Sequence, residues 1–128
     1  MAKILIVDDD RFTRLAVEKY LKSLGHEVLT ADNGRDGLEI AKTGNPDLIL
    51  LDMMMPKMDG MGFLRELRNG EFPSDVPVIA LTAVAHKEFV VNALKYGVKD
   101  YVTKPFNPNT LLLKVQKAVG SVTEAREV

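Results

Sequence analysis

No cysteine occurs among the 128 residues, which excludes a disulfide framework, a thiolate metal site and a thiol nucleophile. Excess charge is lacking too. Seventeen basic against eighteen acidic side chains leave a formal net charge of −1, so bulk electrostatics point neither to nucleic acid nor to an anionic membrane. Long apolar runs are missing. The first starts within three residues of the N-terminus and covers only Ile4 to Val7, far short of a signal h-region or a membrane span. A cytoplasmic domain with no membrane partner is therefore expected. No G-x-x-x-x-G-K phosphate loop occurs, which argues against a nucleotide-dependent kinase, and no repeat, low-complexity tract or interdomain linker interrupts the chain.

What is present is an ordinary hydrophobic share of 46%, enough for one globular domain that buries about two-thirds of its unfolded surface. Apolar and amphipathic runs alternate five times. The apolar runs are Ile4–Val7, Glu27–Ala31, Leu48–Leu51, Val78–Leu81 and Tyr101–Thr103. The first, third and fourth are continuous, as expected of strands covered on both faces. Between them the spacing turns helical. In the first such segment Phe12, Leu15, Ala16, Tyr20, Leu21 and Leu24 form an apolar stripe, with Arg14, Glu18 and Lys22 opposite. In the last, Leu112, Val115, Ala118 and Val119 repeat likewise. Gly25, Gly44, Gly70, Gly97 and Gly120 fall where the helical runs stop, which suggests five helices closed by glycine. Residues 121–128 are polar enough to be a frayed tail or the beginning of a linker, leaving 1–120 as the domain.

Such an alternation implies an α/β fold with a parallel sheet flanked by helices, because each crossover is right-handed. Residues past the carboxyl ends of the strands then share one edge, where open sheets of this kind bind ligands. That edge collects Asp8 and Asp9 from "ILIVDDDRFTR", Asp52 from "DLILLDMMMPKMDG", Thr82 after the fourth run and Lys104 after the fifth. Asp10 reads as a cap on the first helix. Asp8, Asp9 and Asp52 are costly neighbours unless something positive joins them. An all-oxygen set without histidine or cysteine suits Mg²⁺. A carboxylate beside such an ion can attack phosphorus, while Lys104 and Thr82 would neutralise and hydrogen-bond the phosphoryl oxygens.

In "VDDD", "LLDMMMPKMDG", "ALTA" and "YVTKPF", in that order, the chain resembles the receiver domain of two-component response regulators, and chemotaxis regulators in particular. The resemblance implies a doubly wound, flavodoxin-like sheet of order 2-1-3-4-5. It makes Asp52 the acceptor of a phosphoryl group from a histidine kinase or a phosphotransfer protein. Asp9, Asp52 and the backbone carbonyl of Met54 become Mg²⁺ ligands, with Asp8 holding the ion through water. Thr82 would sense the phosphoryl group, Lys104 would pair with it, and the Lys104–Pro105 peptide would be cis. Gly60 would serve a tight turn after the acceptor loop. Tyr101 has two readings, packing on a short strand or a rotamer switch that turns inward when Thr82 moves. The switch would reshape the face of the fourth helix, fifth strand and fifth helix for a downstream protein. The domain would act as a monomer or a phosphorylation-dependent dimer, bind no nucleic acid itself and turn over no substrate.

Two positions depart from the family's commoner polar choices. Met54 and Val84 flank the path of the hydrolytic water there, and neither side chain can orient water, so slow self-dephosphorylation is expected. The run Met53-Met54-Met55 also reads simply as adaptable packing under a loop. His86 and Lys87 read as an exposed basic turn or a partner contact. A flavin-binding domain would need a glycine- and hydroxyl-rich loop where three acids stand. An aspartate-nucleophile phosphohydrolase would need an acid two residues after Asp52, where Met54 stands. The chain reads either as a stand-alone receiver or as part of a longer protein.

Overall fold

The structure, a computed structural model, describes residues 1–71, 73–83 and 87–127, with side-chain surroundings for 1–71, 73–83 and 91–120. The apolar runs form β1 (Lys3–Val7), β2 (Glu27–Ala31), β3 (Leu48–Asp52), β4 (Val78–Thr82) and β5 (Val98–Thr103). The amphipathic runs form α1 (Arg11–Ser23), α2 (Gly34–Gly44), α3 (Gly60–Asn69), α4 (Lys87–Lys95) and α5 (Pro108–Glu127). All strand neighbours pair in parallel in the order β2-β1-β3-β4-β5, the doubly wound arrangement that the sequence resemblance implied.

The period of two along each strand divides the apolar runs between two cores. Leu5, Val7, Ile49 and Leu51 face Phe63, Leu64 and Leu67 of α3. Ile4, Ile6, Leu48, Leu50, Ile79 and Leu81 face Val17 and Leu21 of α1 and Leu111 and Val115 of α5. Every residue of β3 and β4 is buried, as their continuous runs require. The outer strands are mixed: β2 is half-buried along most of its length, and β5 alternates between buried Val98 and Val102 and exposed Lys99 and Tyr101.

That edge position explains why β5 begins at Val98 rather than Tyr101. Lys99 and Asp100 are polar strand residues on an open edge, so no apolar run marks them. The α1 face also differs from expectation. Val17 and Leu21 are its buried residues, whereas Phe12, Leu15, Tyr20 and Leu24 are exposed. Arg14 and Glu18 are half-buried instead.

The glycines divide as well. Gly25 and Gly97 adopt left-handed backbone, with φ of 88° and 79°, as helix-closing glycines do. After α2 it is Asn45, not Gly44, that turns left-handed at φ 49°. Gly70 closes α3 in an extended conformation. Gly120 stops nothing, because α5 runs on to Glu127. One interior glycine costs a helix only about 1 kcal/mol, which the buried contacts of Leu111, Val115 and Val119 outweigh. Among the described residues, no helix is long and apolar enough to cross a membrane.

Candidate functional site

Because β1, β3 and β4 are adjacent and parallel, their carboxyl ends bring distant residues together. Asp8 follows β1 and is fully buried. Its Oδ1 accepts the Asp10 N–H at 2.8 Å and its Oδ2 accepts the Lys104 ammonium at 2.9 Å. Asp52 ends β3 and is 4% exposed; its Oδ1 accepts the Met54 N–H at 3.0 Å, and its Oδ2 lies 3.5 Å from Lys104 Nζ. Asp9 is exposed beside them. One carboxylate oxygen from each of Asp8, Asp9 and Asp52 lies within 4.8 Å of the others.

Asp10 stands apart from this group as the α1 cap. It accepts the Phe12 N–H at 3.1 Å and the Thr13 hydroxyl at 2.6 Å, and the Thr13 bond foremost holds its carboxyl below the usual carboxylate range. The triple acid therefore splits into one structural cap and two site residues.

The electrostatics of the cluster are unbalanced. Burial, then the charge of Asp8 and the nearness of Asp9, push the Asp52 carboxyl up to about 7, against the opposing pull of the Met54 N–H and Lys104. Lys104 is drawn down by burial, but its bonds and attraction to Asp8 and Asp52 win and carry it upward. Among the described residues, one ammonium thus faces two members of a group of three acids. Burial leads the rise of Asp52, and the neighbouring acids add to it a local deficit of positive charge. A hard divalent cation would fill that deficit, and the donor set is all oxygen. The residues fit such an ion.

Arg14 is a neighbour that sequence reasoning left on the solvent side. Its guanidinium donates to the Asp8 carbonyl at 2.8 Å, fixing the peptide between the two site acids. A signal was available: helical side chains lean toward the N-terminus, so an arginine one turn into α1 reaches back to the loop that precedes it.

The loop after Asp52 is held down at both ends. Met53 N–H donates to Leu81 O at 2.9 Å, and Gly60 N–H donates to Met53 O at 3.1 Å. Gly60 is needed for close approach rather than for an unusual φ, since a Cβ there would lie 2.6 Å from the Met53 Cα. Met53 and Met55 are buried, whereas the Met54 side chain is 60% exposed.

Thr82 ends β4 fully buried, and its carbonyl accepts the Lys104 N–H at 2.7 Å. The Lys104–Pro105 peptide is cis. Tyr101 points outward, 39% exposed, with Lys114 Nζ 5.4 Å from its ring centre. Thr82, Ala80, Ala93, Leu94 and Tyr101 border a small cavity of about 20 Å³. Val84 and His86 lie outside the described residues, as does the side chain of Lys87.

Residues 4–116 match the response regulator receiver domain. The chain belongs to that family. The probable transcriptional regulator ycf27 of Porphyra purpurea is 43% identical over 117 residues, which cover 91% of this chain and 47% of that protein. Chemotaxis protein CheY4 of Vibrio cholerae superimposes with a TM-score of 0.86 at 36% identity, covering 92% of this chain and 98% of its own. A CheY-like response regulator receiver domain protein of Methanospirillum hungatei gives 0.89 at 29% identity, covering 98% of both. This receiver domain spans about half the length of the ycf27 relatives that it matches. By name the first of these relatives is a probable transcriptional regulator and the second a chemotaxis protein.

Proposed function

We propose that this receiver domain is a phosphorylation-dependent switch of a two-component system, in which Asp52 accepts a phosphoryl group from the phosphohistidine of a histidine kinase or phosphotransfer protein. The observation that carries the reading is the buried Asp52 carboxyl, flanked by Asp8 and Asp9 and faced by Lys104. An Asp52 oxygen attacks phosphorus, the phosphorus–nitrogen bond breaks, and the imidazole leaves with the electron pair and takes up a proton.

Asp9, Asp52 and the Met54 carbonyl would hold Mg²⁺ directly, and Asp8 through water. When bound, the ion withdraws charge from the phosphoryl oxygens. Both Asp8 oxygens already accept from Asp10 and Lys104, which favours an outer role for that residue. Lys104 stands 2.9 Å from Asp8 and 3.5 Å from Asp52, so a small shift brings its charge onto the phosphoryl group.

Phosphorylation adds about 1.5 to 2 negative charges at Asp52. Thr82 answers by moving toward them, and Tyr101 turns from its outward position toward the cavity it shares with Thr82. The two arrangements preexist, and partners that prefer one of them shift the population. The output face is α4, β5 and α5, and a downstream protein reads it; the domain itself contacts no nucleic acid. It works in the cytoplasm, as a monomer or as a dimer formed on phosphorylation. Residues 1–120 form the receiver unit, with 121–128 a tail or the start of a linker. Self-dephosphorylation is slow, because Met54 and Val84 cannot orient the attacking water.

An aspartate-nucleophile phosphohydrolase is the enzymatic alternative, and Met54 in place of a second acid weighs against it. Release of phosphate from an aryl phosphate ester decides between them. The switch predicts at most one phosphoryl per chain and no sustained release. Continuous turnover would make the protein a hydrolase.

A further inference from the structure

The methionine run after Asp52 alternates sharply in exposure: Met53 is 1% exposed, Met54 60% and Met55 7%. Met53 packs under Gly60, and both buried methionines belong to the core with Leu51 and Phe63. Met54 is anchored differently. Its N–H binds Asp52 at 3.0 Å, so its backbone is fixed to the acceptor while its thioether stands in solvent. The described loop therefore exposes one oxidisable methionine whose backbone is bonded to the acceptor, and buries the two methionines next to it.

We propose that Met54 is a reversible oxidation site whose sulfoxide shortens the life of the phosphoryl group on Asp52; this rests on the acceptor role given above. The oxidant is a peroxide. The Met54 sulfur attacks one peroxide oxygen, the oxygen–oxygen bond breaks, and a sulfur–oxygen bond forms as water leaves. Sulfur loses two electrons and the peroxide gains them. The product is a polar sulfoxide, which thiol-dependent sulfoxide reductases return to methionine.

The consequence follows from hydrogen-bonding capacity. A thioether is a weak acceptor and leaves the water that attacks phosphorus unordered. A sulfoxide oxygen is a strong acceptor. It can take one proton of that water in a hydrogen bond while the oxygen lone pair faces phosphorus. Oxidation thus supplies at residue 54 the polar group that its side chain otherwise lacks. Oxidising Met53 or Met55 would instead force a polar group into the core, so these react later.

The test has two readouts on the same protein. Limiting hydrogen peroxide followed by peptide mass mapping should place oxygen on Met54, and on the exposed Met1, before Met53 or Met55. Phosphoryl lifetime is then measured after loading with an acyl phosphate and Mg²⁺, before oxidation, after it and after sulfoxide reductase. Oxidation should shorten the lifetime roughly three- to tenfold, the worth of one neutral hydrogen bond made in the transition state. Reductase should restore it, and peroxide should leave the lifetime of Met54→Leu where it was before treatment. Equal lifetimes before and after oxidation, or a shortening that persists in Met54→Leu, overturn the inference and leave the acceptor role standing. Absence of any phosphoryl on the untreated protein overturns both.

Discussion

Polar groups are buried at both ends of this sheet, but they are treated in opposite ways. At the amino edge, Asp47 accepts the Lys3 N–H at 2.9 Å, and His26 Nδ1 accepts the Ala2 N–H at 3.2 Å while its Nε2 meets Gln116 Oε1 at 3.0 Å. Each acceptor there has a donor, and the result is a latch between β1, β3, the α1–β2 turn and α5. At the carboxyl edge, Asp8, Asp9 and Asp52 crowd together, and Lys104 reaches Asp8 and Asp52. The first end is built for stability. The second holds negative charge in excess of its described partners, and on the function proposed above an incoming cation would relieve that excess.

The contrast can be broken most forcefully at Lys104. Lys104→Met removes the ammonium that faces Asp52, and should slow labelling by an acyl phosphate by about a hundredfold, the usual cost of losing one transition-state charge partner. Rapid labelling would show that the cation deficit has no chemical role. Asp47→Ala should do the reverse. It leaves the half-buried Lys3 N–H without that acceptor, costing about 1 kcal/mol in urea unfolding, while the labelling rate holds.

The pH dependence of stability separates the two ends next. The Asp52 carboxyl is raised from 3.8 to about 7, so between these values the folded protein keeps a proton that the unfolded chain has released. The stabilising contribution is present at low pH and is lost as pH rises through about 7. Without divalent cations, the urea midpoint should fall between pH 5 and 8, and Asp52→Asn should flatten this slope. Added Mg²⁺ should restore the midpoint at high pH by binding the folded form. The smallest effect belongs to Met54→Asn, whose amide can orient water; pulse labelling should show the phosphoryl lifetime shortened by roughly three- to tenfold. An unchanged or longer lifetime would clear Met54 of that role.

Much of this was written in the chain. The continuous runs of β1, β3 and β4 announced strands covered on both faces, and their ends pointed to Asp8, Asp9, Asp52 and Thr82, as the end of the fifth run pointed to Lys104. Where reading failed, one physical cause recurs: a local pattern carries no information about which neighbour is present. Helical spacing in α1 supports two apolar stripes, and only the packed sheet selects Val17 and Leu21 over Phe12 and Leu15. Gly120 looks like a stop until the contacts of α5 are counted. Lys99 and Asp100 look like loop until β4 is beside them. Arg14 reads as a surface charge, because its target is a backbone carbonyl that no sequence pattern marks.

The decisive measurement is intact mass after incubation with an acyl phosphate, with and without Mg²⁺, for the natural sequence and for Asp52→Asn. One added phosphoryl per chain, dependent on the cation and absent from the variant, is expected. A label that survives the loss of Asp52, or that forms equally well with the cation chelated, would contradict the reading of these acids as a metal-assisted acceptor site.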